Sequence, residues 1–444
     1  TGDIIFKTNI GTSGGNDHGI VGTTSIGTAT GAATDTENVH FMGSFYGFDG
    51  GVTTIAADAT VGTGAGNDEN IEIGTAGTPV AFKADTDALT FVGGKLDLAD
   101  GANLTITTSN GNVTVTGVAG VSDETVTIEA ASGSISIGAI GDSGHTEIHE
   151  VDLDGGGGIT LTGNIYTSVN NAEGNAAAKG AHINFGDPVT ISGTVVIDSD
   201  DTADTDYAGD ITFTTSIDGA DATTDNLTIE GGDGSITLVA IGATKELEGL
   251  TINAQTTGTS GLTVPNIGSG AINLSTGAGV AGNVAIGNTN TASITLNGLI
   301  YSVDGDITLT TTAGTTANHE INITGGTAGA DPFIATAGGD ISFVGGEVEL
   351  ADNSDLTINS NRLAATTSTA SGNISIAKNI NGVSDEDLTI TTTANGAGTI
   401  SLGPIGATGY SASGKSEINT FTVTGAGAIT LNGAITTSEA ADND

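Results

Sequence analysis

The sequence predicts an all-β parallel β-helix (β-solenoid), and three observations carry that prediction. A short alternating pattern recurs along the chain, its copies return at a common step of about 22 residues, and the residues between copies favour tight corners. The pattern is small or polar, apolar, Thr or Ser, apolar, as in Asn103-Leu104-Thr105-Ile106, Asn112-Val113-Thr114-Val115, Thr125-Val126-Thr127-Ile128 and Ser134-Ile135-Ser136-Ile137. Alternation at period two puts the aliphatic pair on one face and the hydroxyl residue on the other, which describes a half-buried strand. Thr on the wet face fits, because it favours strands and water solvates it.

The step is read from copy to copy. The copy at Asn103 returns at Thr125 and the copy at Asn112 returns at Ser134, the same interval both times. In the middle of the chain, one series runs Asn226, Gly249, Ala271, Ser293 and a second runs Ser235, Gly261, Asn283, Asp306. Both keep much the same step, and only Ser235 to Gly261 is clearly longer. Two interleaved series at one step describe the coil of a solenoid, each coil adding about 4.8 Å. At that step the chain holds at most about 20 coils, a stack of at most about 100 Å, and loops lower both figures. Ile229, Leu250, Ile252, Ile272, Leu274, Ile294 and Leu296 are expected to point inward. Gly, Asn and Asp fill the corners, where the backbone bends sharply. A string of β-sandwiches is the alternative, but it gives no reason for a step shared by two series.

A longer period lies over the short one. The box Ile159-Thr160-Leu161-Thr162-Gly163-Asn164-Ile165-Tyr166 returns at Ile294–Tyr301 and again at Ile429–Thr436, at equal intervals. Phe91-Val92-Gly93-Gly94 with Leu96-Asp97-Leu98 likewise returns as Phe343-Val344-Gly345-Gly346 with Val348-Glu349-Leu350. Three related modules are expected, 1–168 (irregular near 10–50), 169–303 and 304–444.

Composition narrows the function. The 444 residues include 72 Gly, 5 Tyr, no Cys and no Trp, with 36% apolar and 4% aromatic residues, which suits a thin core of small and β-branched side chains. Lys and Arg total 8 against 52 Asp and Glu, a net charge of −44 that repels nucleic acid and anionic membranes. Without Cys there is no disulfide, cysteine nucleophile or thiolate metal site. No apolar run approaches the roughly 18 residues of a membrane span. The chain begins at Thr1 without Met and reads as a processed or excised segment.

The run Asp210-Ile211-Thr212-Phe213, Ile217-Asp218-Gly219-Ala220, Asn226-Leu227-Thr228-Ile229, Gly234-Ser235-Ile236-Thr237-Leu238 and Leu250-Thr251-Ile252 resembles the repeats of giant bacterial surface proteins, the filamentous-haemagglutinin-like adhesins and repeat-rich exoproteins. The resemblance covers most of residues 85–438. It implies a right-handed coil, secretion to the cell surface or beyond, and a role in adhesion or matrix. It carries over no functional residue, because the matching positions are core and corner.

Candidate sites are few. Asp198, Asp200, Asp201, Asp204 and Asp206 crowd one stretch, and clustered carboxylates suit Ca²⁺, the one cofactor expected. The plain alternative is a solvated acidic loop. Asn67, Asp68 and Glu69 after Gly64-Ala65-Gly66 resemble half of a calcium-binding nonapeptide. His145, Glu147 and His149 would share a face on a strand, as metal ligands or as an exposed polar face. Catalysis is not expected: Arg362 is the only Arg, the Lys are scattered, and no nucleophile elbow, phosphate loop or zinc helix is present. The expected role is a structural element of a secreted extracellular fibre, sheath or adhesin stalk, its partners being further copies joined head-to-tail through open coil ends or further repeats of a longer chain. A surface-layer lattice protein, a module binding glycans or matrix and, more remotely, a polysaccharide lyase or hydrolase are the alternatives.

Overall fold

The computed structural model describes residues 3–11, 20–21, 23–27, 38–46, 48–49, 53–57, 70–145, 148–167, 181–199, 208–221, 223–254, 261–269, 279–313, 320–325, 331–361, 371–383, 386–392, 398–406, 418–425 and 427–437. Among them every secondary-structure element is a β-strand. The strands pair in parallel, coil on coil, which makes the fold a parallel β-helix. Parallel partners need a crossover between them, and here the crossover is the rest of the coil. Among the described residues no helix is long and apolar enough to cross a membrane. The chain forms two compact units, Thr1–Thr215 and Ser216–Asp444, so the sequence boundaries near 168 and 303 fall inside them.

In the first unit each full coil has three faces. One coil runs through Leu89–Val92, Leu96–Leu98 and Leu104–Thr108. In the next coil one longer strand, Val113–Ala119, serves the first two faces, and Glu124–Ala130 serves the third. The register is residue for residue: Leu89 lies on Val113, Leu96 on Val118 and Leu104 on Val126. Val113 in turn lies on Ile135 and Ile135 on Ile159. The inward columns are sealed, with Val113, Ile135, Val126 and Ile128 all at 0% exposure. Burying such a side chain contributes roughly 1.5–3 kcal/mol. Towards residue 41 the core thickens with aromatic rings: Phe82 meets Phe41 and Phe91 edge-on at 5.0 and 5.1 Å.

The second unit repeats the plan. Its first face stacks Asn226–Glu230, Gly249–Asn253, Val284–Ile286, Ile307–Thr310, Ile341–Val344, Ile374–Ile376, Ile400–Leu402 and Ile429–Leu431. Leu262–Val264, Ile294–Leu296, Glu320–Ile323, Glu347–Leu350 and Ile380–Gly382 form the second face. The third stacks Leu299–Ser302, Phe333–Thr336, Leu356–Asn359, Asp387–Thr391 and Thr420–Thr424. Ile229, Leu250, Ile252, Ile294 and Leu296 are buried as expected. Ile272 and Leu274 lie outside the described residues.

Compact coils keep the short step, as from Leu104 to Val126, and insertions lengthen others, as from Ile159 to Val189 and from Thr53 to Leu89. These insertions correct the middle of the chain. Gly249 follows Asn226 as read, but Leu250 then lies on Val284, so the next rung starts at Asn283 rather than Ala271. The two series therefore belong to one ladder at this point. The insertions also set the long repeat. Within the second unit, box Ile294 opens on the second face and box Ile429 on the first. The Phe91 and Phe343 segments share a local form: each ends a strand and turns at a glycine of positive φ, Gly93 at 95° and Gly345 at 98°.

The corner leading into the first face stacks three residue types. In the second unit Gly305, Gly339 and Gly372 sit so close to the coil before that a Cβ on each would collide with the carbonyl of Gly282, Gly305 and Gly339 respectively. Beside them runs an Asx ladder. Asp306 N–H donates to Asn283 Oδ1 (2.9 Å), Asp340 N–H to Asp306 Oδ1 (2.7 Å), Asn373 N–H to Asp340 Oδ1 (2.6 Å) and Thr399 N–H to Asn373 Oδ1 (2.9 Å). A buried hydroxyl closes each turn, Ser302 donating to the Gly305 carbonyl (2.9 Å), Thr336 to Gly339 (2.7 Å) and Ser360 to Gly372 (2.7 Å). Thr108, Gly111 and Asn112 make the same corner in the first unit, Thr108 donating to the Gly111 carbonyl and Ser134 N–H to Asn112 Oδ1.

Candidate functional site: carboxylate clusters on the coils

The sequence directed attention to the Asp198 stretch. Asp198 ends the strand Thr194–Asp198 and is 5% exposed. Its Oδ2 lies 3.3 Å from Nε2 of His145, which is itself 6% exposed. His145 Nδ1 lies 2.9 Å from the Thr167 carbonyl, and the Tyr166 ring meets the imidazole edge-on at 5.3 Å. Asp200, Asp201, Asp204 and Asp206 lie outside the described residues, as do Asn67, Asp68, Glu69 and Glu147. His145 does not share a strand face with His149. It occupies the turn before the strand Ile148–Gly155, at φ 51°, an unusual backbone angle for a residue with a Cβ.

A second cluster stands at the corner between the second and third faces of the first unit. One carboxylate oxygen from each of Asp100, Asp123 and Glu124 lies within 4.8 Å of the others. Glu124 is fully buried and is held by the backbone: Gly101 N–H donates to Oε1 (2.8 Å), and Val121 and Ser122 N–H donate to Oε2 (2.8 and 3.0 Å). Three N–H donors satisfy a carboxylate and explain why it tolerates burial. Glu386, also at 0% exposure, accepts from Val383 N–H (2.8 Å) at the equivalent corner of the second unit. The shared string Gly-Val-Ser-Asp-Glu at 120–124 and 382–386 is the sequence signal for this clamp.

An acidic stripe runs along the third face of the first unit. Asp152 is pushed above the usual carboxylate range, first by burial and then by Glu150, Asp154 and Glu129. Asp187 is pushed up as well, chiefly by its hydrogen bond with Asp154. Like charges on adjacent rungs hold protons that isolated carboxylates would release.

A further carboxylate cluster lies on the second face of the second unit. In register, Glu320 lies on Glu347, and Asn322 lies on Glu349, which lies on Asn381. Ile321, Val348 and Ile380 between them point inward at 0% exposure, so the carboxylates and amides point outward. Yet Glu320 and Glu347 are only 8% exposed and Asn381 only 4%. Asn379 Nδ2 donates to Glu347 Oε1 (2.9 Å) and Asn381 Nδ2 to Glu347 Oε2 (3.3 Å). Burial pushes Glu347 up, and the two amides and Lys378 pull it back. Glu320 is pushed up to about 8, first by burial, then by the charge of Glu349, its hydrogen bond with Glu349 and the charge of Glu347.

That shift has a signed consequence. A carboxyl whose folded pKa is raised stabilises the fold fully below its unfolded value and loses that contribution as pH rises through the folded value. Between the unfolded value of 4.5 and about 8, stability should therefore fall with rising pH. Glu320→Gln, which holds the neutral form at every pH, should flatten the fall. Melting temperatures of both proteins from pH 5 to 9, in a chelator-containing buffer, check this. Parallel curves for the two would remove Glu320 as the cause.

No protein-family model, curated protein or solved structure matches this chain. The fold and the clusters above are therefore what bears on function.

Proposed function

We propose that the chain is a structural segment of a secreted extracellular fibre, sheath or adhesin stalk, and that its role is mechanical rather than catalytic. The observation that carries this reading is the stack itself: parallel strands pair coil on coil in residue-for-residue register over columns of buried side chains. Coil-on-coil pairing of this kind extends by adding further coils, which suits a stiff linear element.

The chemistry of the coils fits a passive element. Outward positions carry Thr, Ser and carboxylates, and the polar corner residues satisfy backbone groups between coils. The net charge of −44 keeps such a surface solvated, or neutralised by divalent cations, among which Ca²⁺ suits carboxylate oxygen best. Secretion and adhesion enter from the resemblance to filamentous-haemagglutinin-like repeats.

Electron microscopy of the purified chain with and without Ca²⁺ tests the proposal. Uniform fibres are expected if copies add coil to coil, and isolated particles indicate a stalk segment whose next coil belongs to its own chain. Two-dimensional lattices would overturn the reading in favour of a surface-layer protein.

A further inference from the structure

The corner that leads into the first face of the first unit changes character at one coil. Its successive rungs, fixed by the register of Val113, Ile135, Ile159 and Val189, read Gly111-Asn112, Gly133-Ser134, Gly157-Gly158 and Asp187-Pro188. Proline forfeits no ladder bond at this rung. Ser134 N–H donates to the Asn112 side chain (2.9 Å), but Gly158 offers no side-chain acceptor to the next coil. Pro188 is exposed, and its carbonyl accepts from Ile159 N–H (2.8 Å).

A second carboxyl stands beside this corner. Asp154, on the coil before, packs against Gly186: a Cβ there would lie 3.2 Å from Asp154 Cγ and 3.5 Å from its Oδ2. Glycine leaves room for that carboxyl, which hydrogen-bonds with Asp187. A hydrogen bond between two carboxyl groups needs a proton on one of them. Gly155 N–H also donates to Asp187, and Thr214 Oγ1 donates to the Gly186 carbonyl (2.6 Å) from the coil after. Glu129 lies on Asp154 in register, and Asp152 and Glu150 share the Asp154 strand, so like charges favour keeping the proton. Lys83 heads the same outward column, with Thr107 and Glu129 between it and Asp154.

We propose that the Asp187–Pro188 bond is a self-cleavage site, opened by the Asp187 carboxyl with Asp154 as its proton-holding partner. The bond before proline is a tertiary amide, and a carboxyl fixed beside a carbonyl carbon attacks it without the cost of an encounter. An oxygen of the Asp187 carboxyl bonds to the Asp187 main-chain carbonyl carbon, closing a cyclic anhydride. The carbon–nitrogen bond to Pro188 breaks, its electron pair stays on nitrogen, and the carboxyl proton ends there. Water then opens the anhydride to two carboxyl groups, so one water is consumed and nothing is oxidised or reduced. The step needs the proton, so it quickens as pH falls, and the Asp154 bond extends it toward milder acid. Pairing of Ile183 with Val151 and of Val189 with Ile159 keeps both sides of the break in the stack, so the products separate only on denaturation. The proposal stands apart from the fibre reading, since it concerns one bond in a single copy.

The chain holds its own comparison in Asp331–Pro332, its other Asp–Pro bond, where Asp331 is exposed and no carboxyl among the described residues bonds to it. The full chain is held at pH 4, 5, 6 and 8, with far-ultraviolet circular dichroism to follow the fold, then denatured and weighed by mass spectrometry. Fragments 1–187 and 188–444 are expected, forming faster as pH falls and at least tenfold faster than any break at Asp331–Pro332. Asp154→Asn should slow the break after Asp187 at least tenfold at pH 5 and move its pH profile to lower pH, with the Asp331 rate unchanged. Asp187→Ala, without a carboxyl, should abolish it. In urea the two bonds should break at similar rates, because the advantage belongs to the folded corner. Equal rates at the two bonds in the folded chain, or an Asp154→Asn rate and pH profile equal to the parent's, would overturn the proposal. So would an intact Asp187–Pro188 bond at pH 4, or a chain that unfolds before it cleaves.

Discussion

Gly339→Ala should lower the melting temperature by about 6–12 °C, as expected for roughly 3 kcal/mol lost from a unit of this size. The cause is steric rather than conformational. Gly339 does not adopt a positive φ, so alanine fits its backbone angles, but a Cβ there would collide with the Gly305 carbonyl of the coil beneath. Backbone cannot swing aside as a flexible side chain would, and both coils are fixed by strand pairing from Ile307 to Ile341. Forced overpacking costs about 1–3 kcal/mol or more. The displaced corner also strains the bonds beside it, from Thr336 to the Gly339 carbonyl and from Asp340 N–H to Asp306. Gly77→Ala is the control. Gly77 has φ 70° but nothing within 4 Å of an added Cβ, so it should cost only the left-handed penalty of about 1–2 kcal/mol. Scanning calorimetry of the two variants separates the mechanisms. Equal losses would mean that contact between coils at this corner is not what the glycine protects.

The same corner shows what the sequence displays and what it hides. Strands such as Val113–Ala119 and Ile135–Ile140 are legible because alternation is a local property and their inward Val and Ile are buried. Glycine followed by Asn or Asp before a strand was visible as a corner composition. That these residues stack on one another was not, because stacking depends on how much chain separates successive corners. Insertions vary that length from coil to coil, which is why Ala271 was placed where Asn283 belongs. The box repeat misled for a related reason. Equal intervals in sequence are not equal numbers of coils, and within the second unit the box at Ile294 lands on a different face from the one at Ile429.

Sites built across coils are hidden more deeply. Glu320 and Glu347 are separated by a whole coil of chain and become neighbours only through register. Aligning Glu-Ile-Asn-Ile at 320–323, Glu-Val-Glu-Leu at 347–350 and Asn-Ile-Asn-Gly at 379–382 would have shown polar residues in both outward columns, in place of the usual Thr. The Glu124 clamp was open to the same method through its repeated pentapeptide. The Asp198 stretch shows the converse. The aspartates crowded between 198 and 206 dominate the eye, yet the described one points inward to His145, far earlier in the chain, and no spacing rule reports that.

That histidine carries the other large effect expected. His145→Ala should destabilise the first unit by about 3–5 kcal/mol, the usual cost of leaving one partner of a buried ion pair without the other. Both ring nitrogens of His145 face oxygen, the Thr167 carbonyl on one side and Asp198 on the other, and a carbonyl only accepts. A doubly protonated ring would donate to both, pairing imidazolium with carboxylate. The pair also spans coils, since His145 precedes the strand Ile148–Gly155 and Asp198 ends a strand two coils on along another face. Removing the ring opens a cavity and leaves the Asp198 carboxylate buried at 5% exposure with less compensation. Asp198→Asn keeps the shape and an oxygen acceptor, so it should cost clearly less. Replacing both residues by Leu should recover part of the His145→Ala loss, because apolar contact removes the need for a charge partner. Urea denaturation of these variants, together with the single His145→Leu and Asp198→Leu replacements, at neutral pH decides between this account and a packing role alone. If the double replacement costs as much as the sum of its single replacements, the two side chains are not coupled, and the contact is incidental to the fold.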